Sequence, residues 1–230
     1  MLLNARSLKN KLCDFNILLS DDYSIISVTE TWLDSSITNT MIDSLQEYNV
    51  HRNDRATKLR GDVLRLVAKY WPSFVISIPE RFHSLDVVAV SITTDIGSLR
   101  YITVEFNQLG REYMVLLLEY LEYLCNTRDT IVFVGDFNLP FANWNELRSP
   151  DDSIHSSFLD FCIQYGLCQF VTSFTRHHHT LDLVFSSDPN IISDLCVQDT
   201  FSTSDHSMVE YNLIVRPHDC SSSVKSVIYD

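Results

Sequence analysis

Hydrophobic positions change period several times along the chain, and each change predicts an element. Leu2 to Asn4 reads as the end of a short strand. Leu8, Leu12, Phe15 and Leu19 recur at helical spacing, with Ser7 placed to cap the helix they define. Residues 23–29 are rich in β-branched side chains and predict a strand that delivers Glu30 to its end. Further strands are expected at 63–67, 74–78, 85–92 and 99–104, then a helix with a wide apolar face at 112–124. Residues 130–135 form a continuous apolar run, the pattern of a strand buried on both faces. A helix at 156–165 should stop at Gly166, and strands follow at 181–185, 191–197 and 208–215. Mixed strands and helices without a long linker or an internal repeat predict one α/β (α+β) domain over 1–216 with a tail at 217–230.

Three stretches place an acid or a histidine just after an apolar strand: Val28-Thr29-Glu30-Thr31-Trp32, Val134-Gly135-Asp136-Phe137-Asn138 and Ser204-Asp205-His206-Ser207. A fourth, Thr180-Leu181-Asp182-Leu183-Val184, sets one acid inside an apolar strand. Burying a charge in such surroundings is costly unless it is paired or binds a cation. Strand ends are also where open sheets bind ligands. Carboxylates such as Glu30 and Asp136 are the hard oxygen ligands that hold Mg²⁺. A histidine steadied by a carboxylate supplies a proton or a hydrogen bond to a phosphoryl group. Taken singly, Asp182 reads equally as a turn acid and Ser-Asp-His as a helix cap.

Taken together and in this order, the stretches make the chain resemble the endonuclease/exonuclease/phosphatase superfamily, and within it the endonuclease domains of non-LTR (LINE-type) retrotransposons. The motifs that carry the resemblance are Asn4-Ala5-Arg6-Ser7-Leu8, Glu30-Thr31-Trp32-Leu33, Gly135-Asp136-Phe137-Asn138 with Asn143-Trp144, Thr180-Leu181-Asp182-Leu183-Val184 and Ser204-Asp205-His206. The resemblance implies a four-layer sandwich of two packed mixed sheets flanked by helices. It makes Glu30 the principal Mg²⁺ ligand (Mn²⁺ being an alternative ion), with Asn4 beside it and Asp205 at the metal side. Asp136 would orient the attacking water, and Asn138 would bind water or phosphate. His206 would contact the scissile phosphate while hydrogen-bonded to Asp182. DNA is the implied partner and the nucleus the implied place of action, with a reverse transcriptase segment expected in full-length relatives but absent from this sequence.

Two departures from the family pattern stand out. Relatives end the strand before the long helix in a Tyr-containing motif, and here Val104-Glu105-Phe106-Asn107 stands in its place. Phe106 is taken as the altered tyrosine position, with Glu105 as the alternative register. A run of glycines in relatives is replaced by Arg60-Gly61-Asp62. Both changes suggest a weakened copy.

Charge then complicates the picture. Lys and Arg number 17 against 30 Asp and Glu, a net charge of -13, whereas DNA binding calls for cations against phosphates. The basic residues cluster, however, in Arg52, Arg55, Lys58, Arg60, Arg65 and Lys69, with Arg6, Lys9 and Lys11 near the start. Arg52, Arg55, Lys58 and Arg60 are the candidate substrate-binding set. The acidic balance suits two rival readings: a phosphodiesterase or phosphatase for a soluble or lipid phosphate, and an idle fold kept as a binding module. Six cysteines without a C-x-x-C pair read as buried free thiols, and His177-His178-His179 as a polar loop. With no signal-peptide pattern and no membrane-length apolar run, an intracellular protein is expected.

Overall fold

The computed structural model describes residues 1–54, 62–106, 110–144, 146–149 and 154–218. Its elements run β1 (Leu2–Asn4), α1 (Leu12–Leu18), β2 (Ile25–Thr29), α2 (Asn39–Ile42), β3 (Tyr48–Asn53) and β4 (Val63–Ala68). They continue with β5 (Ser73–Val75), β6 (Asp86–Thr94), β7 (Gly97–Glu105), α3 (Arg111–Cys125) and β8 (Thr130–Asp136). The last are α4 (His155–Gln164), β9 (Cys168–Gln169), β10 (Asp182–Ser186), β11 (Ile192–Thr200) and β12 (Ser207–Leu213). The strands form two six-stranded sheets, ordered β11-β12-β1-β2-β4-β3 and β5-β6-β7-β8-β10-β9. They pack face to face with helices outside, which is the mixed sandwich expected.

Each sheet contains one parallel pair, β1 with β2 and β7 with β8, and its other pairings are antiparallel. A parallel pair needs a crossover, and α1 and α3 supply it. Alternation then sorts the side chains. In β7, Leu99 and Tyr101 enter the core between the sheets, whereas Ile102 and Val104 join the outer core under α3 and α4. In β8, Val132 and Val134 face inward while Ile131 and Phe133 face the helices. That explains its unbroken apolar run. Trp144 belongs to the outer core, edge-on to Phe158 and Phe185.

Among the described residues, Gly135 is the one glycine whose lack of a side chain is demanded by space. Its φ is +154°, and a Cβ there would sit 1.8 Å from the carbonyl oxygen of Val104 on the neighbouring strand.

The structure corrects four local expectations. Ser7 does not cap α1: its φ is +76° and its amide donates to the Glu30 carbonyl at 2.8 Å. Ala5 and Leu8 likewise bond to the carbonyls of Thr29 and Thr31, so pairing with the neighbouring segment overrides a local cap and delays the helix to Leu12. Strand β3 was not foreseen, because as an edge strand it is only half-buried along Asn49–Asn53 and carries a weak apolar pattern. The cysteines are not uniformly buried: Cys125 and Cys162 are, Cys13 and Cys196 are exposed. Arg65, counted with the basic surface, lies wholly inside the sandwich.

Candidate active site

The ends of the two parallel pairs meet at one end of the sandwich. From the first sheet, β1 ends in Asn4 and β2 leads directly into Glu30. From the second, β7 ends in Glu105 and β8 in Asp136, which are register partners. The register extends sideways, Asp86 opposite Glu105 and Asp182 opposite Asp136. Four acids therefore lie in one row across β6, β7, β8 and β10. Alternation turns each of them inward, on the same face as Val88, Tyr101, Val134 and Val184. All four are buried.

Hydrogen bonds join the two sheets above this row. Asn4 Nδ2 donates to Asp136 Oδ2 at 2.9 Å and to Glu30 Oε1 at 3.2 Å. The Asn4 amide oxygen accepts from the Arg6 backbone at 3.0 Å, so Asn4 presents its amino group to the two carboxylates. The Glu30 backbone N–H donates to Glu105 Oε2 at 2.8 Å. Asn138, at φ +45°, donates its backbone N–H to Asp136 Oδ1 at 3.0 Å and its Nδ2 to the Phe106 carbonyl at 3.0 Å.

His206 comes in from the turn between β11 and β12. Its Nδ1 lies 2.8 Å from Asp182 Oδ2 and 4.0 Å from Asp136 Oδ2. A carboxylate at Nδ1 assigns the proton to that nitrogen and leaves Nε2, buried and without a hydrogen-bond partner among the described residues, directed away from Asp182. Two residues that sequence reasoning did not single out hold this arrangement. Ser204 accepts from the His206 amide and donates to the Asn4 carbonyl at 2.7 Å. Thr175 Oγ1 accepts from the amides of Leu181 and Asp182, and its carbonyl accepts from Ser207 N. Ser204 was visible as the first letter of Ser-Asp-His; Thr175 carries no sequence signal.

Asp205 stands apart from Glu30, Asp136 and His206, whose ligand atoms cluster together. Its Oδ2 is gripped by Arg6 Nη1 at 3.0 Å and by Arg176 at 2.7 Å. Burial works against its charge, but the Arg176 hydrogen bond and both guanidinium charges outweigh it and hold its carboxyl below the ordinary value. Phe106 faces away from the site: it is buried in the outer core with its ring 5.8 Å from that of Tyr113. The residue of this strand end that reaches the pocket is Glu105. Strand alternation decides between the two registers.

Electrostatics follow from this crowding of acids. Burial, reinforced by the Asp182 carboxylate, pushes Asp136 well above the usual carboxylate range. Burial does the same for Glu105, aided by the charges of Asp86, Glu30 and Asp136. For His206 burial disfavours the charged ring, but the Asp182 hydrogen bond and the charges of Asp182 and Asp136 prevail and raise its pKa. One ligand atom from each of Glu30, Asp136 and His206 lies within 4.8 Å of the others. Two hard oxygen donors in a site with excess negative charge fit a divalent cation.

Among the described residues, several of the candidate basic side chains are tied up by internal bonds. Arg52 is held by Asp54 and by the carbonyls of Ile37 and Asp34. Lys9 pairs with Asp34, and Lys11 is buried with its ammonium on the Ala5 carbonyl. Arg55, Lys58 and Arg60 lie outside the described residues.

Comparison with known proteins agrees with this fold. Residues 108–210 match the family model described as endonuclease-reverse transcriptase. The endonuclease domain of TRAS1, a telomere-specific non-LTR retrotransposon, superposes over 92% of this chain and 95% of its own, at a TM-score of 0.69 and 16% identity. The likeness extends over nearly the whole of both chains and is one of fold. Other structures of this fold include a 3'-5' exonuclease from Neisseria meningitidis (TM-score 0.67, 15% identity, 92% and 98% covered). An AP endonuclease from Archaeoglobus fulgidus matches at a TM-score of 0.64 and 13% identity, with 93% and 98% covered. No curated protein matches the chain in sequence. No helix among the described residues is long and apolar enough to cross a membrane.

Proposed function

We propose that the chain is a Mg²⁺-dependent endonuclease of non-LTR retrotransposon type, nicking DNA to leave a 3′-hydroxyl that a reverse transcriptase can extend. The observation that carries the proposal is the convergence of half-buried Glu30 with buried Asp136 and His206 from three separate chain segments onto one point. Glu30 and Asp136 would hold the ion, Mn²⁺ being able to replace it. When bound, the cation polarises the phosphoryl group and offsets the charge that develops there. Asn4 keeps the two carboxylates apart by donating to both, and Asn138 fixes the Asp136 carboxylate that orients the attacking water. The His206–Asp182 bond favours a protonated ring, whose Nε2–H then donates to a phosphate oxygen. Arg6 and Arg176, drawn together by Asp205 at the rim, add positive charge for a nucleic-acid backbone. Work on chromosomal DNA would place the protein in the nucleus.

The test is a supercoiled plasmid incubated with the protein in Mg²⁺ or EDTA. Nicked circles are expected in Mg²⁺ only. Asp136→Ala and His206→Ala should each lower the rate by about 10²-fold or more. The net charge of -13 favours one other reading, hydrolysis of a soluble phosphate ester. Turnover of a small aryl phosphate without nicking would move the assignment there, and neither activity would leave an idle fold.

A further inference from the structure

We propose that Glu105 is a positioning residue of the cation site, holding the backbone of Glu30 in place from the opposite sheet. The proposal rests on the reading of Glu30 as a cation ligand.

Glu30 sits where β2 has ended, at φ +48°, in the left-handed region that a residue with a Cβ avoids. A carboxylate on such a backbone points correctly only while its surroundings force it to. Three bonds do so. The Ser7 amide donates to the Glu30 carbonyl at 2.8 Å, and Asn4 Nδ2 donates to Oε1 at 3.2 Å. The third is the Glu30 N–H, given to Glu105 Oε2 at 2.8 Å. The first two come from the same sheet as Glu30; Asn4 also links the Glu30 side chain to Asp136, while Glu105 holds the Glu30 backbone directly from the opposite sheet.

The arrangement is reciprocal. Asn4, at the end of the first strand of one parallel pair, reaches across to Asp136 at the end of the second strand of the other. Glu105, at the end of the first strand of that other pair, reaches back to the residue following β2. Glu105 is fully buried, and its Oε1 has no hydrogen-bond partner among the described residues. Burying a carboxylate beside Asp86, Glu30 and Asp136 is unfavourable, so an acceptor kept at this point has a positional use.

Glu105→Gln keeps an acceptor oxygen without the charge. Glu105→Met fills the same volume with neither, and Glu105→Ala serves as a second acceptor-free variant. Mn²⁺ titration followed by electron paramagnetic resonance reads the site independently of nicking, and thermal unfolding in EDTA checks that each variant is folded. Wild type should bind Mn²⁺, Glu105→Gln within about threefold of it, and Glu105→Met about tenfold or more weaker, as for other groups that orient metal ligands. Equal weakening in Gln and Met would mean that charge matters and position does not, overturning the proposal. Wild-type affinity in the folded Met or Ala variant would overturn it too. A wild type that binds no Mn²⁺ would instead refute the cation reading of Glu30 itself.

Discussion

Arg65 extends from β4 into the space between the sheets, its guanidinium 3.8 Å above the Tyr101 ring. It is fully buried, and none of its side-chain nitrogens has a hydrogen-bond partner among the described residues. Burial lowers its pKa to about 10, still high enough to keep it charged at neutral pH. Stacking on tyrosine offsets only part of the cost of desolvating a guanidinium. Arg65→Met should therefore stabilise the protein by roughly 1–4 kcal/mol in urea unfolding. The gain should be largest in acid. Burial, and then the Arg65 charge, depress the pKa of His51 on the adjacent strand. A depressed folded-state value means that stability is intact above pH 6.5 and is lost as pH falls through that value. Melting temperatures of both proteins between pH 5 and 7.5 check the sign, since the variant should lose less on acidification. At this scale the sequence displayed the chemistry well. Glu30, Asp136, Asp182 and His206 are acids or a histidine in apolar surroundings, and the pocket gathers all four. It did not display orientation. Phe106 and Glu105 are neighbours in sequence, and only the pairing of β7 with β6 and β8 shows which one turns inward.

At the scale of elements, the most exacting contact is the approach of β8 to β7 at Gly135, one residue before Asp136. Gly135→Ala would drive a methyl group into the Val104 carbonyl, and because the obstacle is backbone it cannot swing aside. A loss of more than about 4 kcal/mol is expected, enough to prevent folding at 37 °C. Gly166, which ends α4 at φ +60°, has open space around it, so Gly166→Ala should cost only about 1 kcal/mol. Comparative urea unfolding, or soluble expression where Gly135→Ala does not accumulate, separates the two. Central strands and long helices were legible because burial writes its period into the sequence: α3 and β8 were expected within a residue or two of their observed limits. Edge elements such as β3 and β9 were not, since half-exposed positions accept almost any residue.

At the scale of the molecule, the candidate cation site belongs to neither sheet. Glu30 and the turn bearing His206 come from one, Asp136 from the other. A bound divalent ion would clamp the layers together while relieving the repulsion among buried acids. Mg²⁺ at a hundred times its dissociation constant should then add about 2.7 kcal/mol of stability over EDTA. Glu30→Ala should abolish that increment, as differential scanning calorimetry would show. The fold class was legible from the mixture of periods. The site was legible chiefly through the order of its motifs, because no local pattern foretells that four strand ends from two sheets will converge. The net charge misled in one respect: part of it is buried beside the site and says little about the outer surface.

Because Ser204 reaches back to the Asn4 carbonyl across 200 residues, and β12 pairs with β1, the site closes only when the two ends of the fold come together. During synthesis Glu30 and Asp136 are made well before His206. At about 5–20 residues per second the earlier parts wait many seconds for their last partner. On the proposed nuclease function, synthesis carries its own safety interlock: a chain still lacking His206 would not cut.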